Sequence, residues 1–330
     1  MSGSSEYEKY LNETLNDVSN LQVDWISYTN LPTIPKKLDW SCDNEKYIFE
    51  SIQNKEWNYI YKFLLSNGFD NSSLKHYIQP YLNTTIDYYT KNPISYNLNS
   101  YQFRSDEFSL DEIGNVFLGC SDTFGVGQSL KHTWPYILSK VAFPDDKIYN
   151  LGVPGSGSDT AFRILNHLKH KIKIKNIFHW LPKRHRYEFY LGNDMNNPKN
   201  DIFIKNNGNL SNWVSGYVQV GPNNDSIKSL VSEDYIKNGL STNTMLALTD
   251  LKNILAIKSI ANELGINYYV SNFDIDNNQH DINITSNVYN YLKENNVPRQ
   301  LLARDLQHMR IYDNTKVVAN FLTSINKNII

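Results

Sequence analysis

The sequence predicts an α/β protein in which helices cover both faces of a parallel β-sheet. From residue 114, short apolar segments typical of strands alternate with longer segments whose apolar residues recur at helical spacing. Glycine-containing turns follow the first two of these strands, in "NVFLGCSDTFG" and "KIYNLGVPGSG". Apolar residues make up 40% of the 330 residues, which is sufficient for a substantial core. In folds of this class the functional residues gather at the carboxyl ends of the strands.

The alternation assigns the elements in order. The predicted strands lie at residues 115–119, 147–152, 176–181 and 266–273. The predicted helices lie at residues 129–142, 158–172, 242–265, 283–296 and 314–327. The first of these helices contains Pro135 as an irregularity. Ser158 or Asp159 is the expected N-cap of the second, because a side-chain oxygen there accepts a hydrogen bond from a backbone N–H of the first turn. Gly265 is expected to end the third helix.

The chain divides into two regions of different character. Residues 1–110 contain a helical pattern at 45–69, which stops at Gly68, and a second candidate helix at 77–92. No catalytic motif is found there, so we expect a mainly helical N-terminal accessory region. Residues 111–330 are expected to form the functional domain. Within it, an insertion at about 183–240, rich in Asn, Gly and aromatic residues, interrupts the alternation. An insertion of this length is typically a functional loop or a small subdomain.

Composition and charge exclude several classes of protein. The 32 basic and 34 acidic residues give a net charge of −2, which argues against nucleic acid or an anionic membrane as the main partner. Cys42 and Cys120 form neither a disulfide framework nor a metal-ligand spacing, so no metal or cofactor is expected. The N-terminus lacks the basic start and the apolar run of a signal peptide. We therefore expect a cytoplasmic or virion-associated protein.

The glycine-rich turn "GVPGSGSD" does not fit a nucleotide site. Gly152 and Gly157 have the spacing of a phosphate-binding loop, but Ser158 and Asp159 stand where that loop needs a lysine and a hydroxyl residue. The carboxylate would repel a phosphate, and no cation replaces the lysine. The glycine register of a dinucleotide-binding turn is not met either.

Ser121 is the candidate nucleophile, because it directly follows the first strand. The G-x-S-x-G elbow would need a glycine at Thr123, so that signature is absent. A serine also needs a base to take its proton. Asp305 and His308 are three residues apart, a spacing that places both on one face of a helical turn and lets the carboxylate orient the imidazole. The alternative for Ser121 is an ordinary capping serine. The alternative for Asp305 and His308 is a solvated pair on the surface.

Other titratable residues have ordinary interpretations, with a functional alternative for each. His167 and His170 lie three residues apart on a Lys-rich helix. Their functional alternative is a pair of metal ligands, but no third ligand lies nearby in the sequence. His179 and His185 flank the end of the third strand, where one of them would line a site. A polar loop follows the fourth strand and is an alternative site for a divalent ion; it contains Asp274, Asp276, His280 and Asp281.

These motifs together resemble the SGNH, or GDSL-like, hydrolase superfamily, in particular divergent members of phage or marine-bacterial type. The family's first block is G-D-S-x-T-x-G. Here "GCSDTFG" matches it at Gly119, Ser121, Thr123 and Gly125, with Cys120 in place of the usual aspartate. "NLGVPGSG" resembles the second block, and the D-x-x-H of "RDLQH" resembles the last. The resemblance covers roughly residues 100–325.

The resemblance implies a flavodoxin-like three-layer α/β/α fold and a serine esterase that uses an acyl-enzyme. Ser121 would be the nucleophile, His308 the base and Asp305 its orienting carboxylate. The backbone N–H groups of Ser121 and Gly155 would form the oxyanion hole. The implied substrate is a small acyl ester, with acetyl the expected acyl group, on a small molecule or a carbohydrate.

One block departs from the family. The family has G-x-N-D after the third strand, whereas this chain has "FHWLPKRHRYEF" without an asparagine. The expected substitute for the asparagine donor is Arg186, followed by Arg184 or a backbone N–H. Trp180 and both arginines are expected to bind the substrate. The departure keeps two alternatives open. One is a catalytically inactive virion or assembly protein of the same fold, with virion or homo-oligomeric partners. The other is acyl transfer to a sugar.

Overall fold

The structure is a computed structural model. It describes residues 37–39, 84–85, 88–89, 91–92, 94–182, 186–190, 213–217, 243–271, 288, 290–298, 301, 303 and 311–327. The strands are β1 (Lys37–Asp39), β2 (Ser95–Asn97), β3 (Ile113–Leu118), β4 (Lys147–Asn150), β5 (Lys173–Trp180), β6 (Arg186–Tyr190), β7 (Trp213–Tyr217) and β8 (Asn267–Ser271). The helices are α1 (Ser121–Phe124), α2 (Trp134–Ala142), α3 (Ser158–Leu168), α4 (Asn243–Leu264) and α5 (Ile311–Lys327), with a 3₁₀ turn at Leu130–His132.

The central sheet is parallel and has the strand order β4-β3-β5-β8. In order along the chain these strands are the second, first, third and fourth, which is the order of flavodoxin-like doubly wound folds. The chain therefore reverses its direction of progress between β3 and β5. Ligands of such folds bind at this reversal, outside the carboxyl ends of the strands. The predicted fold class is confirmed.

Two separate cores show that helices cover both faces of the sheet. Alternate residues of a strand point to opposite faces, and Phe117 of β3 accordingly lies in one core while Val116 and Leu118 lie in the other. The first core contains apolar residues of α2 and α5, and the second contains those of α3 and α4. The result is a three-layer α/β/α arrangement.

Aromatic rings connect the sheet to the helices of the first core. Phe117 and Phe178 stack at 5.5 Å between ring centroids, and Phe178 and Tyr269 at 5.1 Å, so one row of rings crosses three neighbouring strands. Trp134 of α2 and Phe321 of α5 stack at 5.2 Å above this row. Offset aromatic pairs add about 0.5–1.5 kcal/mol each beyond the area that they bury. They fix α2 and α5 against the sheet.

The segment before the predicted boundary at residue 110 packs into this domain. Tyr89, Ile94 and Tyr96 are buried in the first core. Residues 84–85, 88–89 and 91 are helical, in agreement with the helix predicted at 77–92. The pattern at 45–69 lies outside the described residues, and the division of the chain into two regions stays a prediction.

The described part of the insertion at 183–240 is a β-ribbon. Strands β6 and β7 pair antiparallel, with Arg186 opposite Tyr217. Residues 288 and 290–294 are helical, as predicted for 283–296. None of the helices in the described ranges combines the length and the apolar run that crossing a bilayer requires.

One predicted N-cap and one predicted helix start were wrong. The N-cap of α3 is Gly157, and neither Ser158 nor Asp159 takes that place. The Ser158 hydroxyl instead donates to Asp250 Oδ1 of α4 at 2.8 Å, so tertiary packing uses the side chain that would have capped the helix. Helix α2 begins at Trp134 and not at residue 129, since Pro135 is tolerated only in the first turn.

A ladder of asparagine side chains crosses the sheet. Asn115 Nδ2 donates to Asp146 at 3.0 Å, Asn176 Nδ2 to Asn115 Oδ1 at 2.8 Å, and Asn267 Nδ2 to Asn176 Oδ1 at 3.1 Å. Asn115 and Asn176 are buried. A buried polar group is stable only when it has a partner, so each amide depends on the next.

We expect Asn176→Ala to destabilise the protein. The substitution leaves Asn115 Oδ1 and Asn267 Nδ2 without their partner, which costs about 1–3 kcal/mol of the free energy of unfolding. Urea unfolding followed by circular dichroism measures this change. Asn166→Ala, at an exposed position of α3, is the control and is expected to shift the free energy by less than about 0.5 kcal/mol. Equal stabilities of Asn176→Ala and the control would contradict this role of the ladder.

Candidate functional site

Ser121 lies at the carboxyl edge of the sheet, beside the reversal between β3 and β5. It is the first residue of α1 and is 7% exposed. Gly119 makes the abrupt turn from β3 possible. Its φ of +150° is one that side chains rarely adopt, and a Cβ there would collide with Thr123 Oγ1 and lie 2.7 Å from the Trp180 carbonyl oxygen. The turn therefore brings the serine directly to the end of the strand.

Arg104 holds the segment that follows α1. Its Nη1 donates to the carbonyl oxygens of Phe124 at 3.1 Å and Gly125 at 2.7 Å, and its Nη2 donates to that of Gln128 at 2.8 Å. The guanidinium carbon lies 4.4 Å from the centroid of the Tyr96 ring, within the range of a cation–π contact. This buried side chain thus fixes the backbone immediately behind Ser121. Sequence reasoning missed this role, because the three acceptors are backbone atoms.

Gly155 occupies a β-turn after β4. The Ser156 N–H donates to the Val153 carbonyl oxygen at 3.1 Å, Pro154 is the second residue of the turn, and Gly155 is the third, with φ +77°. These features are those of a type II turn, which requires a positive φ at the third position. An L side chain there would be strained by about 1–2 kcal/mol.

The two turns form one hydrogen-bonded unit. The Gly119 carbonyl oxygen accepts from the Val153 N–H at 3.1 Å and from Ser156 Oγ at 3.3 Å. Asn150 adds a second connection: its Nδ2 donates to the Thr123 carbonyl oxygen at 2.8 Å, and its Oδ1 accepts from a backbone N–H at 2.9 Å. The position of the Gly155 turn relative to Ser121 is therefore fixed by four hydrogen bonds.

Two backbone donors remain at this edge. Within the described residues, the N–H groups of Ser121 and Gly155 have no hydrogen-bond acceptor. For Ser121 the reason is its place in the first turn of a helix, where N–H groups lack an intrahelical partner.

Cys120 is a buried free thiol. Ser121 Oγ donates to Cys120 Sγ at 3.9 Å, and Cys120 Sγ lies at the same distance from Asp122 Oδ2. Sulfur is a weak acceptor, so this contact does not withdraw the serine hydroxyl from chemistry.

Trp180 and Arg186 have different environments. Trp180 ends β5 and is 1% exposed among the aromatic residues of the first core. The structure thus gives it a packing role beside the Gly119 turn. Arg186 begins β6, and its Nη1 donates to the Ser156 carbonyl oxygen at 3.1 Å, next to Gly155. Of the two predicted substrate-binding residues that the structure describes, Arg186 is the one that contacts the Gly155 turn.

Several predicted site residues lie outside the described residues. They are Asp305, His308, Arg184, His185, Asp274, Asp276, His280 and Asp281. His167 and the exposed His170 were the alternative pair of metal ligands. The described part of the chain has no group of three or more side chains that could hold a metal ion. The proposed base and its carboxylate remain sequence-based predictions.

His179 is a structural histidine and does not line the site. It is completely buried, with its Nδ1 2.9 Å from the Tyr268 hydroxyl oxygen. Burial lowers its pKa to about 3. The pKa of His132 is also lowered to about 3, mainly by burial and further by the charges of Lys131 and Arg104. Both imidazoles are neutral near pH 7, and neither is exposed as a base.

Acidification is expected to destabilise the protein. The two buried histidines stay neutral in the folded state, whereas an unfolded chain protonates them near pH 6.5. The unfolded state thus binds more protons between pH 6.5 and about 3, and each histidine lowers the free energy of unfolding by up to about 1.4 kcal/mol per pH unit in that window. Urea unfolding at a series of pH values measures the slope. His179→Gln should reduce it, and Asn166→Gln, a change without a titrating group at an exposed position of α3, should leave it unchanged. An unchanged slope in His179→Gln would refute the assignment.

Comparison with known proteins adds little to this geometry. No protein-family model matches the chain, and no curated protein matches it significantly. One similar solved structure is that of a carbohydrate acetylesterase family member from Sinorhizobium meliloti. It is 13% identical, and the match covers 65% of this chain and 97% of that chain with a TM-score of 0.25.

Proposed function

We propose that the chain is a serine esterase that hydrolyses small acyl esters, with acetyl the expected acyl group and a carbohydrate the expected alcohol. One observation carries the proposal. Ser121 lies at the carboxyl edge of a doubly wound sheet, in a turn joined by hydrogen bonds to the Gly155 turn, and each of these residues has an N–H available to a ligand oxygen. A nucleophile needs such donors next to it when charge develops on a carbonyl oxygen.

The proposed reaction has two steps. Ser121 Oγ attacks the ester carbonyl carbon while His308 takes the hydroxyl proton, and the carbonyl oxygen becomes an oxyanion that the N–H groups of Ser121 and Gly155 stabilise. The C–O bond to the alcohol then breaks, and His308 returns the proton to the leaving alkoxide. Water, deprotonated by His308, then attacks the acyl carbon. The C–O bond to Ser121 breaks, the acid leaves, and His308 returns the proton to Ser121 Oγ. Asp305 holds the imidazole and stabilises its charged form.

The Gly155 donor makes a large contribution in this scheme. One oxyanion donor typically lowers the barrier by about 2.7–4 kcal/mol. The family's asparagine donor is absent from this chain, which increases the dependence on the two backbone groups. Arg186 supports the proposal as a cation next to the turn, and the aromatic residues of the insertion support a carbohydrate as the alcohol, because aromatic rings pack against the apolar faces of sugars.

Hydrolysis of 4-nitrophenyl acetate tests the proposal. We expect Ser121→Ala to lower kcat by at least about 10³-fold, because the residual rate comes only from binding and the remaining donors. Ser324→Ala, in α5, is the matched control and should keep the wild-type rate.

Equal and negligible rates in wild type and Ser121→Ala would contradict the esterase and favour the inactive virion or assembly protein. If hydrolysis depends on Ser121, mass spectrometry of a glycan incubated with an acetyl donor separates hydrolysis from acyl transfer. Acetylated glycan would identify a transferase.

A further inference from the structure

A buried ion pair connects the insertion to helix α3. Arg163 Nε donates to Glu188 Oε1 at 2.6 Å, and Arg163 Nη2 donates to Glu188 Oε2 at 2.8 Å. Thr160 Oγ1 also donates to Glu188 Oε2 at 2.6 Å. The side chains of Arg163 and Glu188 are 5% and 3% exposed. We name these three residues the β6 clamp, because Glu188 lies in β6 and the other two lie in α3.

Stability alone does not account for the clamp. Removing two charges from water carries a large desolvation cost, and apolar side chains in place of a buried pair often give equal or higher stability. A bidentate arginine–carboxylate pair instead fixes the relative geometry of two elements. Here it fixes the first strand of the insertion against the helix that follows the Gly155 turn.

Arg186 lies on the same side of β6 as the clamp. Side chains two residues apart on a strand point to the same side, so the side chains of Arg186 and Glu188 both point toward the sheet domain. Arg186 Nη1 reaches the Ser156 carbonyl oxygen at 3.1 Å. The backbones also approach closely, because a Cβ added to Gly157 would lie only 2.9 Å from the Arg186 carbonyl oxygen. The strand therefore contacts the residues directly after Gly155 through both side chain and backbone.

We propose that the β6 clamp positions Arg186 on Ser156 and thereby holds the Gly155 turn in the geometry that its N–H needs as a donor to the substrate oxygen. Arg163 and Glu188 are positioning residues in this scheme, since neither touches the substrate. The insertion is then part of the catalytic unit, and its first strand is a wall of the ester site. This inference rests on the proposed esterase function.

The proposal predicts a specific kinetic change. The oxyanion exists only after the attack of Ser121, so a loosened donor weakens binding of the transition state and not of the ester. Loss of the clamp should lower kcat for 4-nitrophenyl acetate about 10-fold or more and leave KM nearly unchanged. The decrease should stay below the roughly 10²- to 10³-fold effect of losing a donor outright.

The experiment compares the full wild-type chain with three variants, which together carry four substitutions. Arg163→Met/Glu188→Leu replaces the pair by apolar residues, and Arg163→Lys keeps the charge without the bidentate fork. Glu263→Gln is the control, because Glu263 also forms an ion pair at the end of α3, at 3.0 Å with the C-cap residue Lys169, but is exposed. Kinetics are combined with hydrogen exchange of peptides that cover residues 152–160. We expect faster exchange there and a lower kcat in the double variant and in Arg163→Lys, and no change in Glu263→Gln.

The two readouts separate the clamp from the esterase function. Wild-type exchange and wild-type kcat in a folded Arg163→Met/Glu188→Leu variant would overturn the clamp, even if hydrolysis depends on Ser121. If the double variant does not fold, Arg163→Lys decides the question by the same two measurements. If wild type and Ser121→Ala hydrolyse no ester, the esterase fails, and unchanged exchange at 152–160 would additionally show that the clamp does not hold the turn.

Discussion

The candidate site depends on the carbonyl oxygen of Gly119. This one acceptor binds the Val153 N–H and the Ser156 hydroxyl, and so joins the turn after β3 to the turn after β4. Without these bonds, Ser121 and Gly155 would belong to independent loops, since more than 30 residues separate them in the chain. Both turns lie at the carboxyl edge of parallel neighbouring strands, which places them close enough to bond.

Polar side chains inside the fold stabilise this arrangement from several directions. Arg104 binds three carbonyl oxygens in the segment that follows Ser121, and the Asn150 side chain connects the two turns. Each of these groups is buried, so its hydrogen bonds act without competition from water, and an unsatisfied partner would be costly. These hydrogen bonds hold the backbone at the site in place, which donors require if they are to be positioned before charge develops.

The sequence predicted the fold well because hydrophobic periodicity and glycine turns are local signals. The four strands of the central sheet and the long helix that ends just before Gly265 followed from them. The β-ribbon of the insertion did not, because its strands lie in a segment without that alternation. The turn of Ser121 was predictable for the same reason, since small residues and glycines directly follow an apolar strand. The N-cap of α3 was not, because the Ser158 hydroxyl bonds to a residue 92 positions away. Arg104 and the Arg163–Glu188 pair were missed on the same grounds: neither leaves a pattern within a short window of sequence.

The central claim is that Ser121 is a nucleophile made reactive by its surroundings, and covalent labelling tests it most directly. A fluorophosphonate forms a stable bond with an activated serine hydroxyl and not with an ordinary one, because only the activated oxygen attacks phosphorus at a useful rate. We expect one adduct per chain, located on Ser121 by peptide mass spectrometry, and no adduct in Ser121→Ala. A wild-type chain that stays unlabelled, or carries the adduct on another residue, would contradict the account.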